Sequence, residues 1–149
     1  MVSDDLYNEQ ILKLAAGLVD VDRLEAPDTT VTVDSPLCGS RVKVDLNYSP
    51  TEDCVTAYGQ EVRACALGKS SAAIVAKHIQ GTSAEEATVL RQQVEAMLKK
   101  EGDAPQGKWA ELEALMPARA HKSRHASILL PFKAVEKAIA EIKANMSVS

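Results

Sequence analysis

Aromatic side chains are scarce: one tryptophan, one phenylalanine and three tyrosines in 149 residues. A core built from this chain must therefore be aliphatic and rich in alanine. Basic residues are not in surplus either, since 17 lysines and arginines stand against 21 aspartates and glutamates, for a net charge of −4 and an isoelectric point near 5.4. That balance excludes the clustered positive surface that displaces counterions from phosphates, so no nucleic-acid partner is expected. No window approaches the roughly 18 apolar residues of a membrane helix. The start, MVSDDLYNEQ, is acidic and lacks the basic, then apolar, order of a signal peptide. A cytoplasmic protein without membrane contact is expected. No glycine-rich phosphate loop, HExxH helix or nucleophile elbow occurs, so nothing in the motifs points to an enzyme. Cysteine is sparse as well. Cys38, Cys54 and Cys65 are an odd number, and in a reducing compartment they read as thiols or ligands rather than a disulfide framework.

What is present suits one globular domain spanning 1–149. Hydrophobic residues make up 46% and charged ones 26%, and a chain of this length buries roughly two-thirds of its unfolded surface without a disulfide or metal. Ile11 and Leu14, with Tyr7 and Leu18, recur at helical spacing and predict a helix over 5–18 that ends near Gly17. Val31 and Val33 alternate with polar residues as a first strand. A second strand is expected from about Arg41 to Tyr48, and a third runs through Val55, Ala57 and Tyr58 beyond the turn at 49–53. After Gly68 the period changes, and Ala72, Val75, Ala76 and Ile79 predict a helix stopped by Gly81 that carries His78 exposed in its middle. Ser83 and Glu86 form a capping box for a long helix through Leu90, Val94 and Met97. Trp109, Leu112 and Leu115 mark a short helix after the loop at 101–107. Pro131 suits a first helical position, ahead of the stripe Phe132, Val135, Ile139, Ile142 and Met146. The fold class expected is α+β: a three-stranded antiparallel meander with about five helices on one side.

The chemistry rests on the cysteines. Cys38 lies on a loop between Pro36 and Gly39, at the entry to the second strand. Cys65 sits where the third strand gives way to a helix, so its sulfur faces the partly positive end of that helix, with Arg63 and Lys69 near. Glu61 is a further charged candidate to line that end. Along a regular strand the odd spacing from Cys54 to Cys65 puts the two side chains on opposite faces, about 35 Å apart if fully extended. Cys54 is therefore read as a small buried hydrophobe.

SPLCGSRVKVDL and ACALGKSSAAIVAKHIQGTSAEEA resemble the first and second ligand segments of the U-type iron–sulfur cluster scaffold proteins, the NifU, IscU and SufU family. LYNEQILKLA and RHASILLPFKAVEKAI fit the same pattern, in the same order, over nearly the whole chain. The resemblance implies an IscU/SufE-like α+β domain whose site lies at the end of the sheet. There sulfur from a cysteine desulfurase meets iron, and three cysteines and one aspartate bind a cluster or a zinc ion. Cys38 and Cys65 match the first two cysteines. Ser40 stands where the aspartate is expected and Ala126 where the third cysteine is expected, with Ser127 placed to cap the final helix. His125 or His121 is the candidate substitute ligand.

The Leu-Pro-Pro-Val-Lys motif of the Isc-type members, which a dedicated chaperone reads, is replaced by LMPARAHKSRH, so that chaperone is not implied. The longer segment between Gly81 and Met116 is closer to Suf-type members. The implied function is an assembly scaffold or sulfur acceptor in which Cys65 and Cys38 take persulfide sulfur and hold iron and sulfide. Partners are then a cysteine desulfurase and other assembly proteins. Two copies placed face to face would supply four thiolates to one shared cluster. The alternative is a degenerate, metal-free member that docks on the desulfurase or its partners and regulates them.

Overall fold

The alternating valines pair as strands. In a computed structural model that describes residues 9–17, 23–35 and 39–148, with the side chains of 147 and 148 left out, β1 (Thr29–Ser35), β2 (Ser40–Ser49) and β3 (Cys54–Arg63) form an antiparallel meander in the order β1-β2-β3. Val31 faces Val44 and Val33 faces Val42 across the first pair. One face of β2, formed by Val42, Val44, Leu46 and Tyr48, is buried. The helices are α1 (Glu9–Gly17), α2 (Ala66–His78), α3 (Ala84–Lys99) and α4 (His125–Val148), with 3₁₀ segments at Gly107–Ala120 and Lys122–Arg124; α4 packs on β1 and β2, α2 on β3, and α1 and α3 on those helices. α4 crosses β1 and β2 and is flanked by α2 and α3. The core is aliphatic as composition demands, with Leu46, Leu67, Ile74, Met97, Leu112 and Ile128 wholly enclosed. Among the described residues no helix is long and apolar enough to cross a membrane. The first predicted helix is described only from Glu9; Tyr7 and Leu18 lie outside the described residues.

The capping box forms in full. Ser83 Oγ accepts the Glu86 amide at 3.1 Å and the Glu86 carboxylate accepts the Ser83 amide at 3.2 Å. Trp109, Leu112, Leu115 and Ala118 are all buried, and their strict spacing of three matches the three residues per turn of a 3₁₀ helix rather than an α-helix.

Four expectations are corrected. α2 begins at Ala66 and ends at His78, so His78 closes the helix instead of lying in its middle. It is half-buried, with Nε2 at 2.9 Å from Glu111 and the ring edge-on to Trp109 at 5.8 Å. Pro131 lies inside α4, not at its start. Its ring removes the bond to the Ser127 carbonyl four residues back and crowds that carbonyl, yet the buried run Ile128, Leu129 and Leu130 carries the helix past it toward the N-terminus. β3 is not regular, because Asn47 faces Ala57 whereas Tyr48 faces Val55. Thr56 is thus an extra residue, a bulge that turns both Val55 and Tyr58 inward. Parity along β3 is reversed by that bulge, so an odd spacing from Cys54 no longer means the opposite face.

The outer face of the sheet is partly covered too. Asp45, fully buried on β2, accepts two bonds from Arg23, at 2.5 and 3.0 Å, one from the Leu24 amide and one from Thr30 Oγ1. Burial alone would push the Asp45 carboxyl up; the bonds from Arg23, Thr30 and Leu24 outweigh it and hold the group below its ordinary value.

Candidate functional site

Three elements meet at one end of the sheet: the start of β2, the N-terminus of α2 and the first turn of α4. Cys65 is the N-cap residue of α2, in extended conformation, and makes no side-chain capping bond. Its thiol is partly exposed and its Sγ lies 3.6 Å from Ser127 Oγ on α4. Ser127 Oγ in turn lies 3.0 Å from Ser40 Oγ at the start of β2. Ser40 and Ser127 are only 2% and 1% exposed. Ser127 therefore does not cap its helix. It sits within the first turn, and its hydroxyl points inward to the thiol and to Ser40.

Small side chains on α2 permit this approach. A Cβ on Gly68 would stand 2.4 Å from Ser127 Oγ and 2.7 Å from the Ala64 Cβ, so only glycine fits there. One turn on, Ser71 Oγ donates to the Ile128 carbonyl at 2.6 Å. Ser70 Oγ donates to the Ile11 carbonyl at 2.9 Å, fastening α1 to the same helix.

The structure thus brings Cys65, Ser40 and Ala126 into neighbouring elements, with Ala126 half-buried beside Ser127. Cys38 lies outside the described residues. Cys54 opens β3 while Cys65 follows its last residue, so about 30 Å of strand separates the two thiols, and Cys54 Sγ faces Glu52 at 3.9 Å. Distance rather than parity sets them apart. Glu61, read from the sequence as a residue that could line the site, pairs instead with Arg23 at 2.9 Å. Lys69 is exposed one turn beyond Cys65, and its amide donates to the Cys65 carbonyl.

His125 is buried at the start of α4, where Nε2 donates to the carbonyls of Ala118 and Arg119 at 3.0 and 3.2 Å. Carbonyl oxygens only accept, so in the neutral ring Nδ1 is the nitrogen that keeps a lone pair. His121 Nε2 is buried with no hydrogen-bond partner among the described residues. Among those residues no three histidine, cysteine, aspartate or glutamate side chains gather as a metal site. Ser127 and Gly68 were not recognised as site residues in the sequence, where the first read as a cap and the second as a helix start. Their spacing to Cys65 carries no signal without the fold.

No model of a protein family matches the chain, and no curated protein sequence is significantly similar to it. Solved structures are similar over almost its full length. A nitrogen-fixing NifU-like protein (N-terminal) from Brucella abortus is 40% identical, covers 97% of this chain with 99% of its own, and superposes with a TM-score of 0.91. A protein described as an iron–sulfur cluster assembly scaffold for the SUF system, from Fervidobacterium islandicum AW-1, shares the fold at 19% identity, with a TM-score of 0.78 over 90% of this chain and 96% of its own.

Proposed function

The chain belongs to the family of U-type iron–sulfur cluster assembly scaffolds, and from that premise we propose that its working group is the Cys65 thiol, aided by Cys38. The observation that carries this reading is the convergence at one end of the sheet. A partly exposed sulfur at the N-terminus of α2 meets the first turn of α4 and the start of β2, the segments that match the family's ligand motifs. Cys38 is two residues before Ser40 in the sequence.

The first step is sulfur transfer without net redox. The Cys65 thiolate attacks the terminal sulfur of a persulfide on a cysteine desulfurase; the donor's S–S bond breaks, a new S–S bond forms on Cys65, and the donor cysteine leaves as thiolate and takes up a proton. A dithiol reductant then supplies the two electrons that cleave the Cys65 persulfide, leaving the dithiol as its disulfide, the Cys65 thiol restored and the outer sulfur as sulfide; iron and that sulfide are the cargo held by Cys65 and Cys38. Two chains meeting at this end of the sheet would supply four thiolates to one cluster. A resident zinc ion wants four strong ligands, and Ser40 and Ala126 supply none of them. The Nδ1 of His125 is the candidate extra donor. Transient cargo suits this residue set better than a closed zinc site.

The missing donors at Ser40 and Ala126 favour one second reading, a metal-free member that docks on the desulfurase or its partners and regulates them. Anaerobic reconstitution with ferrous iron and sulfide separates the two. The scaffold reading predicts iron and acid-labile sulfide in equal amounts, lost in Cys65→Ser. Protein that stays free of iron, sulfide and zinc under all such conditions would favour the regulatory reading.

A further inference from the structure

Ser127 has one proton to give and two neighbours to serve. Its Oγ lies 3.0 Å from Ser40 Oγ and 3.6 Å from Cys65 Sγ, both serines being buried. While Cys65 is a thiol, the bonds can run in either direction, because thiol and hydroxyl each donate and accept. Once the sulfur is anionic, as thiolate or persulfide, it can only accept. A single polarity then remains, with Ser40 donating to Ser127 and Ser127 donating to the sulfur. We infer that Ser40 and Ser127 form a hydroxyl donor chain that orients and hydrogen-bonds the anionic sulfur on Cys65. Ser127 is the positioning residue, and the serine at position 40 sets the direction of the chain.

The inference rests on the reading of Cys65 as the sulfur-accepting thiol, and it gives chemical sense to the departure at position 40. An aspartate there, ionised, would accept only and would draw the one Ser127 proton away from the sulfur. Serine passes a proton bond toward the sulfur instead. Gly68 belongs to the same device, because its missing Cβ is what allows Ser127 to reach Cys65.

The test follows iodoacetamide capture of Cys65 in the full chain at one fixed pH of about 6.5, where an ordinary thiol is mostly protonated and the rate follows the thiolate fraction, read by mass spectrometry of the peptide that carries Cys65. Ser127→Ala is expected to slow capture about tenfold, the scale of a lost hydrogen bond to a charged group. Ser40→Ala should slow it only about twofold to threefold, because Ser127 keeps its proton for the sulfur. Ser40→Asp should match Ser127→Ala, while Ser40→Asn, of the same size but able to donate, should stay close to the native rate. The infrared S–H stretch of the thiol form should also move in Ser127→Ala. Equal rates for the Asp and Asn variants would overturn the inference, and so would an unchanged rate in a folded Ser127→Ala protein. If Ser127→Ala does not fold, Ser40→Ala against Ser40→Asn decides, because neither brings a charge that would itself slow capture. Capture requires neither desulfurase nor iron. A flat series therefore refutes the donor chain while leaving the assembly role standing, and a graded series in a protein that accepts no persulfide sulfur refutes the assembly role instead.

Discussion

Gly68→Ala probes the seat of α4 on α2, on which the site depends. In an open helix this change stabilises by about 1 kcal/mol, because glycine loses more backbone entropy on folding. Here the new methyl would stand 2.4 Å from Ser127 Oγ and 2.7 Å from the Ala64 Cβ, whereas carbon atoms in good contact sit about 3.5 to 4.0 Å apart. Ser127 can move its hydroxyl only by turning χ1, which breaks its contacts with Ser40 and Cys65, each worth about 1 kcal/mol between neutral groups. The Ala64 Cβ is fixed to its backbone and cannot turn aside. Overpacking of this kind costs about 1 to 3 kcal/mol. After the gain in helix propensity a net loss of about 1 kcal/mol or more remains, lowering the melting temperature by several degrees in a chain of this size. Thermal unfolding followed by circular dichroism reads the loss, and Cys65 capture on the same samples reads the displaced hydroxyl. A Gly68→Ala protein as stable as the native one, with unchanged Cys65 reactivity, would refute the close approach of the two helices.

The remaining predictions touch other parts of the chain. Cys38→Ser and Cys65→Ser should each abolish sulfur acceptance or iron loading while the circular dichroism spectrum is kept; Cys54→Ser, at the far end of β3, should do neither, and equal loss in all three would contradict the separation. Ser83→Ala removes the bond that its hydroxyl accepts from the Glu86 amide and leaves the Ser83 amide bond to the Glu86 carboxylate; it should cost about 1 kcal/mol in urea unfolding. The Asp45 carboxyl is held below its ordinary value in the folded chain, so its contribution is present above the unfolded-state pKa and is lost as pH falls through the lower, folded one. Arg23→Ala leaves burial to dominate, and acid unfolding followed by Trp109 fluorescence should begin at higher pH; superimposed acid limbs would show that the pair does not matter. Ala126→Cys with Ser40→Asp should rebuild three thiolates and a carboxylate, so that added zinc raises the melting temperature more than in the native chain. No zinc response in a folded double variant would place Ala126 away from Cys65.

What could be read without the fold was local and periodic. Alternating valines marked the strands, because a pleat exposes every second side chain, and Ser83 with Glu86 marked the start of α3. The spacing of Trp109, Leu112 and Leu115 marked a short helix, and its strict period of three, continued by Ala118, is that of the 3₁₀ form. Cys65 was placed correctly at a strand-to-helix junction, and it is the N-cap. The bulge at Thr56 left no sequence signature, being set by how β3 meets β2 at Asn47 and Tyr48. Arg23 on Asp45 and Ser127 beside Cys65 join residues 22 and 62 positions apart, and no periodicity reports such contacts. Gly68 shows the same limit, since its role is the space it leaves for another helix.

The most direct measurement on the central claim is peptide mapping of sulfur after the chain is incubated with a cysteine desulfurase and cysteine under anaerobic conditions. The added sulfur atom should be found on the peptide that carries Cys65, or passed on to the one that carries Cys38, and never on the peptide that carries Cys54. Sulfur confined to Cys54, or none on any cysteine while the desulfurase turns over, would contradict the account.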